Sequence, residues 1–253
     1  MTNYRTRRSP LRTALRRIRY AFRKPAWIES EENECEFYAQ FIPWGGLCFD
    51  IGANCGDKTN IFHLLGAHVV AVDPVPDCVL SLRRRFPARE VTVVDSAVGA
   101  ESGDMPLHIG DSSTISSLLP DWIQRNPSQL SGRKVSEVRM VPVTTLDALI
   151  LKYGIPAFCK IDVEGYEAQV LAGVSHAIPM LSYEWTKEGI DQVGICMKRL
   201  EQLGNYEFNF SYAFPLALES ESWMSSTALM ELLRHRSSRK QHDVWGDVFA
   251  RLR

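Results

Sequence analysis

Short apolar runs alternate with amphipathic stretches along most of this chain. Residues 47–50, 68–73 and 91–95 are runs of four to six mainly apolar residues, and each ends in an acid. Apolar positions at helical spacing follow the first two runs, beginning near Ile61 and Val79. Buried strands that alternate with helices are typical of a parallel sheet covered on both faces. The pattern therefore predicts an α/β fold.

The middle of the chain departs from this alternation. Residues 99–104 carry a hairpin turn signal, and residues 107–109 and 138–143 have the composition of short strands. A hydroxyl-rich loop at 111–118 separates the two strands. We interpret the region as an insertion beside the ligand pocket, able to shape an acceptor site, although such Ser/Thr runs often form only turns and caps.

The later part of the chain returns to strands and helices. An apolar strand that begins at Ala157 ends in two acids, Asp162 and Glu164, and side-chain alternation along the strand predicts that both acids point the same way. Thr144 and Asp147 have the spacing of a capping box. The remaining predicted elements are a strand at 178–184 ending in Glu184, a helix at 190–203, a strand at 206–210, one more helix, a basic loop at 234–240 and a final strand at 244–252. The last strands predict an antiparallel edge hairpin.

The N-terminal segment differs from the rest in charge. Residues 1–28 hold nine Arg or Lys and no acid, so the other 20 basic residues and all 30 acids give residues 29–253 a net charge of −10. Residues 9–24 place Leu11, Leu15, Ile18 and Phe22 on one helical face and arginines on another. Three interpretations remain open: contact with an anionic membrane, an organellar transit segment, or docking on the acidic body. We treat 1–28 as an extension and 29–253 as one domain.

Composition excludes several classes of protein. The chain has 253 residues, no run of 18 apolar residues and no apolar signal region near its start, which predicts a cytoplasmic protein, peripheral to membranes at most. Its six cysteines form no C-x-x-C pair, and Cys48 and Cys159 lie within predicted buried strands. The acidic body disfavours nucleic acid, because it would repel a phosphate backbone. Oligomeric state cannot be inferred.

The turn after the first strand carries the clearest chemistry. Gly52, Asn54 and Gly56 fall between that strand and a helix, at the point where Rossmann-like sheets bind nucleotides. The third glycine of a dinucleotide fingerprint is missing, and Asp50 and Asp57 would repel a pyrophosphate. These acids suit a cationic ligand without phosphate, such as S-adenosylmethionine (SAM).

Further candidate SAM ligands follow in order. Asp73 ends the second strand 21 residues after Gly52, the separation at which an acid binds a ribose diol. Asp95 and Ser96 end the third strand, where an adenine amino group would lie. Asp50 and Gly52 would hold the methionine end of SAM, with Thr59 near its carboxylate.

Three acids are candidates for catalysis. Asp162, Glu164 and Glu184 end neighbouring strands at the edge where such sheets bind ligands, so they are candidates to orient an acceptor or act as base. His108 is a weaker candidate base. Carboxylates also bind hard cations, but no short spacing fixes an acid cluster, and no metal is predicted.

Several of these motifs together resemble the FkbM family of SAM-dependent methyltransferases. They are Phe49-Asp50-Ile51-Gly52-Ala53-Asn54-Cys55-Gly56-Asp57-Lys58-Thr59, Val72-Asp73-Pro74, Ser116-Ser117-Leu118, Thr145-Leu146-Asp147, Lys160-Ile161-Asp162-Val163-Glu164-Gly165-Tyr166-Glu167 and Glu184. The resemblance spans about residues 47–185. Asp73 stands where the family usually has Glu, which changes the reach of this carboxylate toward a ribose.

The resemblance implies a class I methyltransferase fold with a seven-stranded, mostly parallel sheet. It also implies SAM-dependent methylation of a hydroxyl on a sugar, glycolipid, polysaccharide or natural product, without identifying the acceptor. The rival classes are a small-amine N-methyltransferase, a non-catalytic SAM-binding protein and a dinucleotide oxidoreductase. An Asn-Pro-Pro-Tyr-like turn, frequent in N-methyltransferases, is absent at 162–166.

Overall fold

The computed structural model describes residues 25–111, 115–122, 132–213, 216–237 and 245–253. The predicted basic helix at 9–24 lies outside the described residues, as do residues 112–114 of the hydroxyl-rich loop. The strands are β1 (Leu47–Ile51), β2 (His68–Asp73), β3 (Val91–Asp95), β4 (Ala97–Val98), β5 (Gly103–Gly110), β6 (Ser116–Ser117), β7 (Val135–Thr144), β8 (Phe158–Ile161), β9 (Met180–Thr186), β10 (Tyr206–Tyr212) and β11 (Trp245–Leu252). The helices are α1 (Pro25–Tyr38), α2 (Asp57–Leu64), α3 (Pro76–Arg85), α4 (Leu146–Tyr153), α5 (Glu167–Ala172), α6 (Ile190–Leu203) and α7 (Ser226–Ser237).

Seven strands form one mixed sheet in the order β10-β11-β9-β8-β1-β2-β3. Strand β11 runs antiparallel to β9 and β10, and the remaining pairs are parallel. The predicted α/β fold with a mostly parallel seven-stranded sheet and an antiparallel pair at one edge is confirmed. The edge pair is not a tight hairpin, because the connection between β10 and β11 contains α7.

The sheet is covered on both faces, as the continuous apolar runs predict. Phe49 and Ile51 of β1 point into one core, with the inner faces of α4, α6 and α7. Cys48 points into the other core, which contains Phe37 of α1 and Phe62 of α2. Because successive residues of a strand face opposite sides, both cores need apolar residues at consecutive positions.

Residues 97–144 form a second sheet, in the order β4-β7-β5-β6. Strands β5 and β7 pair antiparallel over most of their length. Leu107, Val141 and Val143 from this sheet pack against Val75 and Cys78 next to the main sheet. The departure from simple alternation in this region therefore corresponds to an inserted sheet, in which β5 pairs antiparallel with β6 and β7 while β4 pairs parallel with β7.

Three local predictions were wrong. Strand β8 ends at Ile161, so strand alternation does not orient Asp162 and Glu164, and Glu164 has a left-handed φ of 56°. The cap of α4 is Thr145, whose hydroxyl accepts from the N–H of Ala148, because Thr144 belongs to β7. Residues 234–236 of the predicted basic loop belong to α7.

Candidate active site

The turn between β1 and α2 is shaped by residues with left-handed backbone. Gly52 and Asn54 have φ angles of 80° and 48°. A Cβ atom at Gly52 would lie 1.7 Å from the carbonyl oxygen of Asp162, so no side chain fits there. Gly56 has a φ of 91°, and a Cβ atom there would lie 2.6 Å from the ring of Phe86 and 2.7 Å from the side chain of Leu82. Gly52 therefore lets the turn approach the end of β8, and Gly56 lets it approach α3.

Asp73 is fixed by this turn. Its Oδ2 accepts from the backbone N–H of Asn54 and its Oδ1 from that of Val75, both at 2.8 Å. Burial raises the pKa of Asp73 to about 6, although the two N–H donors oppose that rise. The carboxylate is therefore rigidly held and still has acceptor positions for further donors.

A cavity of about 280 Å³ lies at the carboxyl ends of the central strands. Four acids line it, and none of its described lining residues is Lys or Arg. These acids are Asp73, Asp162, Glu164 and Glu184. Such a lining favours a cation and disfavours a pyrophosphate, because none of the described lining residues is a Lys or Arg that could neutralise phosphate charge.

The structure divides the predicted cofactor residues into two groups. Gly52, Asn54, Asp73 and Ser96 line the cavity, with the Ser96 hydroxyl 2.9 Å from the carbonyl oxygens of two neighbouring residues. The other four, Asp50, Gly56, Thr59 and Asp95, do not line it.

Two of the four residues that do not line the cavity form a hydrogen bond with each other. Asp50 and Thr59 are buried behind the turn, where the Thr59 hydroxyl donates to Asp50 Oδ2. Burial raises the pKa of Asp50, and this hydrogen bond opposes the rise. Asp95 is exposed. The contact of these residues with a cofactor stays a prediction.

All three predicted catalytic acids line the cavity. Asp162 Oδ2 accepts from Lys160 Nζ at 2.8 Å, and Glu164 Oε2 accepts from the indole N–H of Trp122 at 2.9 Å. Burial, and then repulsion from neighbouring carboxylates, raises the pKa of Glu164 and of Glu184 well above the usual range. The carboxylates at the cavity therefore raise the pKa values of Glu164 and Glu184.

A further acid, Glu167, holds the loop that carries Asp162 and Glu164. Glu167 is buried and accepts from the backbone N–H groups of Val163 and Gly165, both at 3.1 Å. Burial raises its pKa to about 7, against the effect of these N–H donors. Sequence reasoning quoted Glu167 within a motif but gave it no role.

The inserted sheet contributes to the same cavity. Leu107, Ser116 and Leu118 line it, and the Ser117 hydroxyl donates to the carbonyl oxygen of Glu164 at 2.8 Å. The insertion thus lies beside the cavity, as expected. His108 is not among the lining residues.

Sequence reasoning missed residues on the far side of Asp162. Lys160 is 2% exposed and ion-paired with Asp162 and, at 3.7 Å, with Asp247. Trp245 also lines the cavity. A lysine inside an apolar strand was the available signal for Lys160, whereas Trp245 and Asp247 come from β11, which is distant in sequence.

Neither a metal centre nor a membrane span is found in the described ranges. No group of three His, Cys, Asp or Glu side chains there is arranged to hold a metal ion. No described helix is long and apolar enough to cross a membrane.

The mostly parallel seven-stranded sheet and the acid-lined cavity at its carboxyl edge agree with the predicted class I methyltransferase fold. Residues 50–226 match the family described as "Methyltransferase FkbM domain", and the chain belongs to this family. SAM is accordingly its cofactor. The cavity suits SAM because it combines Asp73, the buried acid predicted to bind the ribose, with an excess of carboxylates. No curated protein matches the chain.

Several solved structures are similar in fold. A precorrin-6y C5,15-methyltransferase from Geobacter metallireducens is 11% identical, with 86% of this chain and 87% of that chain covered and a TM-score of 0.45. A putative sarcosine dimethylglycine methyltransferase from Galdieria sulphuraria is 8% identical, with 89% and 85% covered and a TM-score of 0.44. A putative methyltransferase from Streptococcus mutans in complex with SAH (S-adenosylhomocysteine) is 11% identical, with 90% and 99% covered and a TM-score of 0.39.

Proposed function

We propose that this methyltransferase methylates a hydroxyl group of a sugar, glycolipid, polysaccharide or natural product. The observation that supports the proposal is the convergence of Asp162, Glu164 and Glu184 on one cavity. A hydroxyl is a weak acid, so its methylation benefits from a positioned base. Three carboxylates beside the cofactor cavity can bind a hydroxyl and accept its proton.

The three acids have different surroundings, which suggests different roles. The carboxylate of Asp162 accepts from Lys160, and that of Glu164 accepts from Trp122. The Glu184 carboxylate accepts no hydrogen bond from the described residues. When bound, SAM supplies an electrophilic methyl group on a cationic sulfur. We assign Glu184 as the base that takes the acceptor proton, and the other two acids as groups that orient the hydroxyl. Alignment of reactants in this way is worth roughly 7–11 kcal/mol of the barrier.

The test is SAH release from the purified chain at saturating SAM. Hydroxyl acceptors from glycan and glycolipid panels are compared with matched amino sugars. Glu184→Gln is expected to lower kcat roughly 10²- to 10⁴-fold, while Glu101→Gln, an exposed acid outside the cavity, keeps wild-type kcat. Wild-type kcat in Glu184→Gln would overturn the assignment of the base.

Rival functions give other outcomes in the same assay. Turnover with amino sugars alone would identify an N-methyltransferase, for which an acid-lined cavity is also suitable because it favours cationic amines. SAM binding without SAH release from any acceptor would support a non-catalytic SAM-binding protein. Either result would refute the O-methyltransferase proposal.

Peripheral membrane contact through residues 9–24 remains a separate proposal, supported by the basic and apolar faces of the sequence. Co-sedimentation with anionic vesicles tests it. The full chain is expected to bind and a chain lacking residues 1–28 to bind less; equal binding would refute the proposal.

A further inference from the structure

Two cysteine side chains meet at the turn that follows β1. Cys55 belongs to this turn, and Cys78 belongs to the first helical turn of α3. Their Sγ atoms are 3.9 Å apart. The sulfur atoms of a disulfide lie about 2.05 Å apart, so a movement of about 2 Å brings this pair to bonding distance. Neither cysteine is among the described residues that line the cofactor cavity.

Exposure distinguishes Cys55 from the other cysteines. Cys55 is exposed, whereas the other five, all in the described part of the chain, are buried. Burial raises the pKa of Cys48 to about 12 and also raises the pKa values of Cys159 and Cys196. Because the thiolate is the reactive form, these three thiols are inert near neutral pH. Cys55 is therefore the thiol that meets an oxidant from solvent, and Cys78 lies directly behind it.

The Cys78 thiol also contacts the cofactor side of the turn. It donates to Asn54 Oδ1 at 3.2 Å. Asn54 lines the cavity with a left-handed φ of 48°, and its backbone N–H donates to Asp73 Oδ2. Left-handed backbone is uncommon for residues other than glycine and persists where contacts hold it. A change at Cys78 thus reaches, through Asn54, the carboxylate predicted to bind the ribose.

Arg85 holds the turn against α3. Its Nη1 donates to the carbonyl oxygen of Cys55 at 3.0 Å and to Asp57 Oδ1 at 2.9 Å. Arg85 is the last residue of α3, whereas Cys78 lies at the start of that helix. Both ends of α3 therefore contact the turn, and the two sulfur atoms stay close together without a covalent bond.

We propose that Cys55 and Cys78 form a site of reversible oxidation, at which a hydroperoxide converts the two thiols to a disulfide and so weakens SAM binding. The disulfide draws the turn at 52–56 toward α3 and removes the S–H group that donates to Asn54. The N–H of Asn54 then no longer fixes Asp73. This control acts on the cofactor and applies whichever acceptor is methylated.

The oxidation takes place in two steps. The Cys55 thiolate attacks one oxygen of the hydroperoxide, so that an S–O bond forms, the O–O bond breaks, and the other oxygen leaves as water or an alcohol. The Cys78 sulfur then attacks the sulfur of the resulting sulfenic acid, the S–S bond forms, and the hydroxyl leaves as water. The two thiols lose two electrons and two protons, and the peroxide gains them. A dithiol reverses the reaction by thiol–disulfide exchange.

Mass spectrometry tests the bond. The purified full chain is reduced, freed of reductant, exposed to a slight excess of hydrogen peroxide, alkylated and digested with trypsin. A linked pair of peptides that contain Cys55 and Cys78 is expected, because trypsin cuts between them at Lys58, and dithiothreitol should separate the pair. Lack of this bond, or a bond from Cys55 to another cysteine or to a second chain, would overturn the proposal.

Calorimetry tests the effect on the cofactor. Oxidation is expected to raise the Kd for SAM about tenfold, the effect of one hydrogen bond to a charged group, and dithiothreitol should restore it. Cys55→Ser should keep the Kd of the reduced wild type before and after peroxide, and Cys78→Ser should likewise not respond to peroxide. Cys35→Ala, a buried cysteine of α1, is the control and should respond as the wild type does. An unchanged Kd in the oxidised wild type, or a response in Cys55→Ser, would overturn the proposal.

SAM must in turn oppose the oxidation, because coupling between two equilibria is reciprocal. If the disulfide weakens SAM binding tenfold, saturating SAM makes the reduction potential of the pair about 30 mV more positive. Equilibration with mixtures of reduced and oxidised dithiothreitol measures this shift. The same potential with and without SAM would show that the bond and the cofactor site are independent, and would overturn the proposal.

Discussion

The cofactor cavity and the groove of about 980 Å³ lined by α1, the end of β10 and the start of β11 meet at Asp162 but differ in the charges of their linings. The cavity collects four carboxylates with no described Lys or Arg in its lining, whereas the groove pairs its two lysines with acids. In the described part of the chain, Asp162 is the one carboxylate of the cavity that pairs with a lysine, so the cavity lining keeps an excess of acids that favours a cation.

The largest expected effect comes from removing the ammonium group of Lys160, which pairs with Asp162 and Asp247. Burial would lower the pKa of Lys160, but Asp162 and Asp247 raise it well above its usual value, so the ammonium is retained. Lys160→Met leaves two neighbouring carboxylates uncompensated and is expected to reduce the free energy of unfolding by about 3–5 kcal/mol.

Urea unfolding measures this change. Lys198→Met, on the exposed face of α6, is the control and is expected to stay within about 0.5 kcal/mol of wild type. Adding Asp247→Asn to Lys160→Met should recover part of the loss, because one of the two repelling charges is removed. Equal stability of Lys160→Met and the control would contradict the pairing.

Asp73→Asn tests the cavity side of the comparison. It keeps the size of the side chain but removes a carboxylate at the predicted ribose position, and hydrogen bonds to charged groups contribute about 1.5–3 kcal/mol. SAM affinity by calorimetry is expected to fall roughly 10- to 100-fold. Asp104→Asn, exposed on β5, is the control; unchanged SAM affinity in Asp73→Asn would refute the cofactor assignment.

The pH dependence of SAM binding tests the same carboxylate. The pKa of Asp73 is raised to about 6, so this carboxylate is ionised at pH 7.5 and largely protonated at pH 5. Because protonation removes a negative charge from the cavity, the Kd for SAM should rise several-fold as pH falls from 7.5 to 5. Calorimetry at both pH values should show a smaller rise in Asp73→Asn; an identical rise would assign the titration to other groups.

Trp245→Ala should have the smallest effect. Trp245 lines the cofactor cavity, so its truncation is expected to weaken SAM binding about threefold, through lost contact area. Calorimetry compares the Kd for SAM of this variant with that of the wild type. An unchanged Kd would show that the indole ring does not contact the cofactor.

The cofactor half of the fold was predictable in detail because its signals are local. Strands β2 and β3 begin and end at the predicted residues, and the turn at Gly52 occupies its expected place. Apolar runs specify buried strands, and the glycines mark backbone that other residues adopt rarely. The motif at 160–167 likewise pointed to the acids that line the cavity.

Other parts of the site depend on contacts between distant segments. The sequence does not reveal that Glu164 accepts a hydrogen bond from Trp122. Nor does it reveal that Asp50 and Thr59 bond to each other outside the cavity lining. Strand β8 also ends at Ile161, before both acids that were predicted to end it, so a loop held by Glu167 carries them.

The sequence by itself determined the α/β architecture, the glycine turn and the acids that end the strands, because periodicity and backbone strain act between near neighbours. Tertiary structure alone decided which acids share a cavity and how Lys160 is neutralised. Strand β11 inserts between β9 and β10, which brings Asp247 and Trp245 to Asp162 across more than 80 positions of the chain. Sheet pairing of that range is fixed by packing of the whole core, which no local pattern encodes.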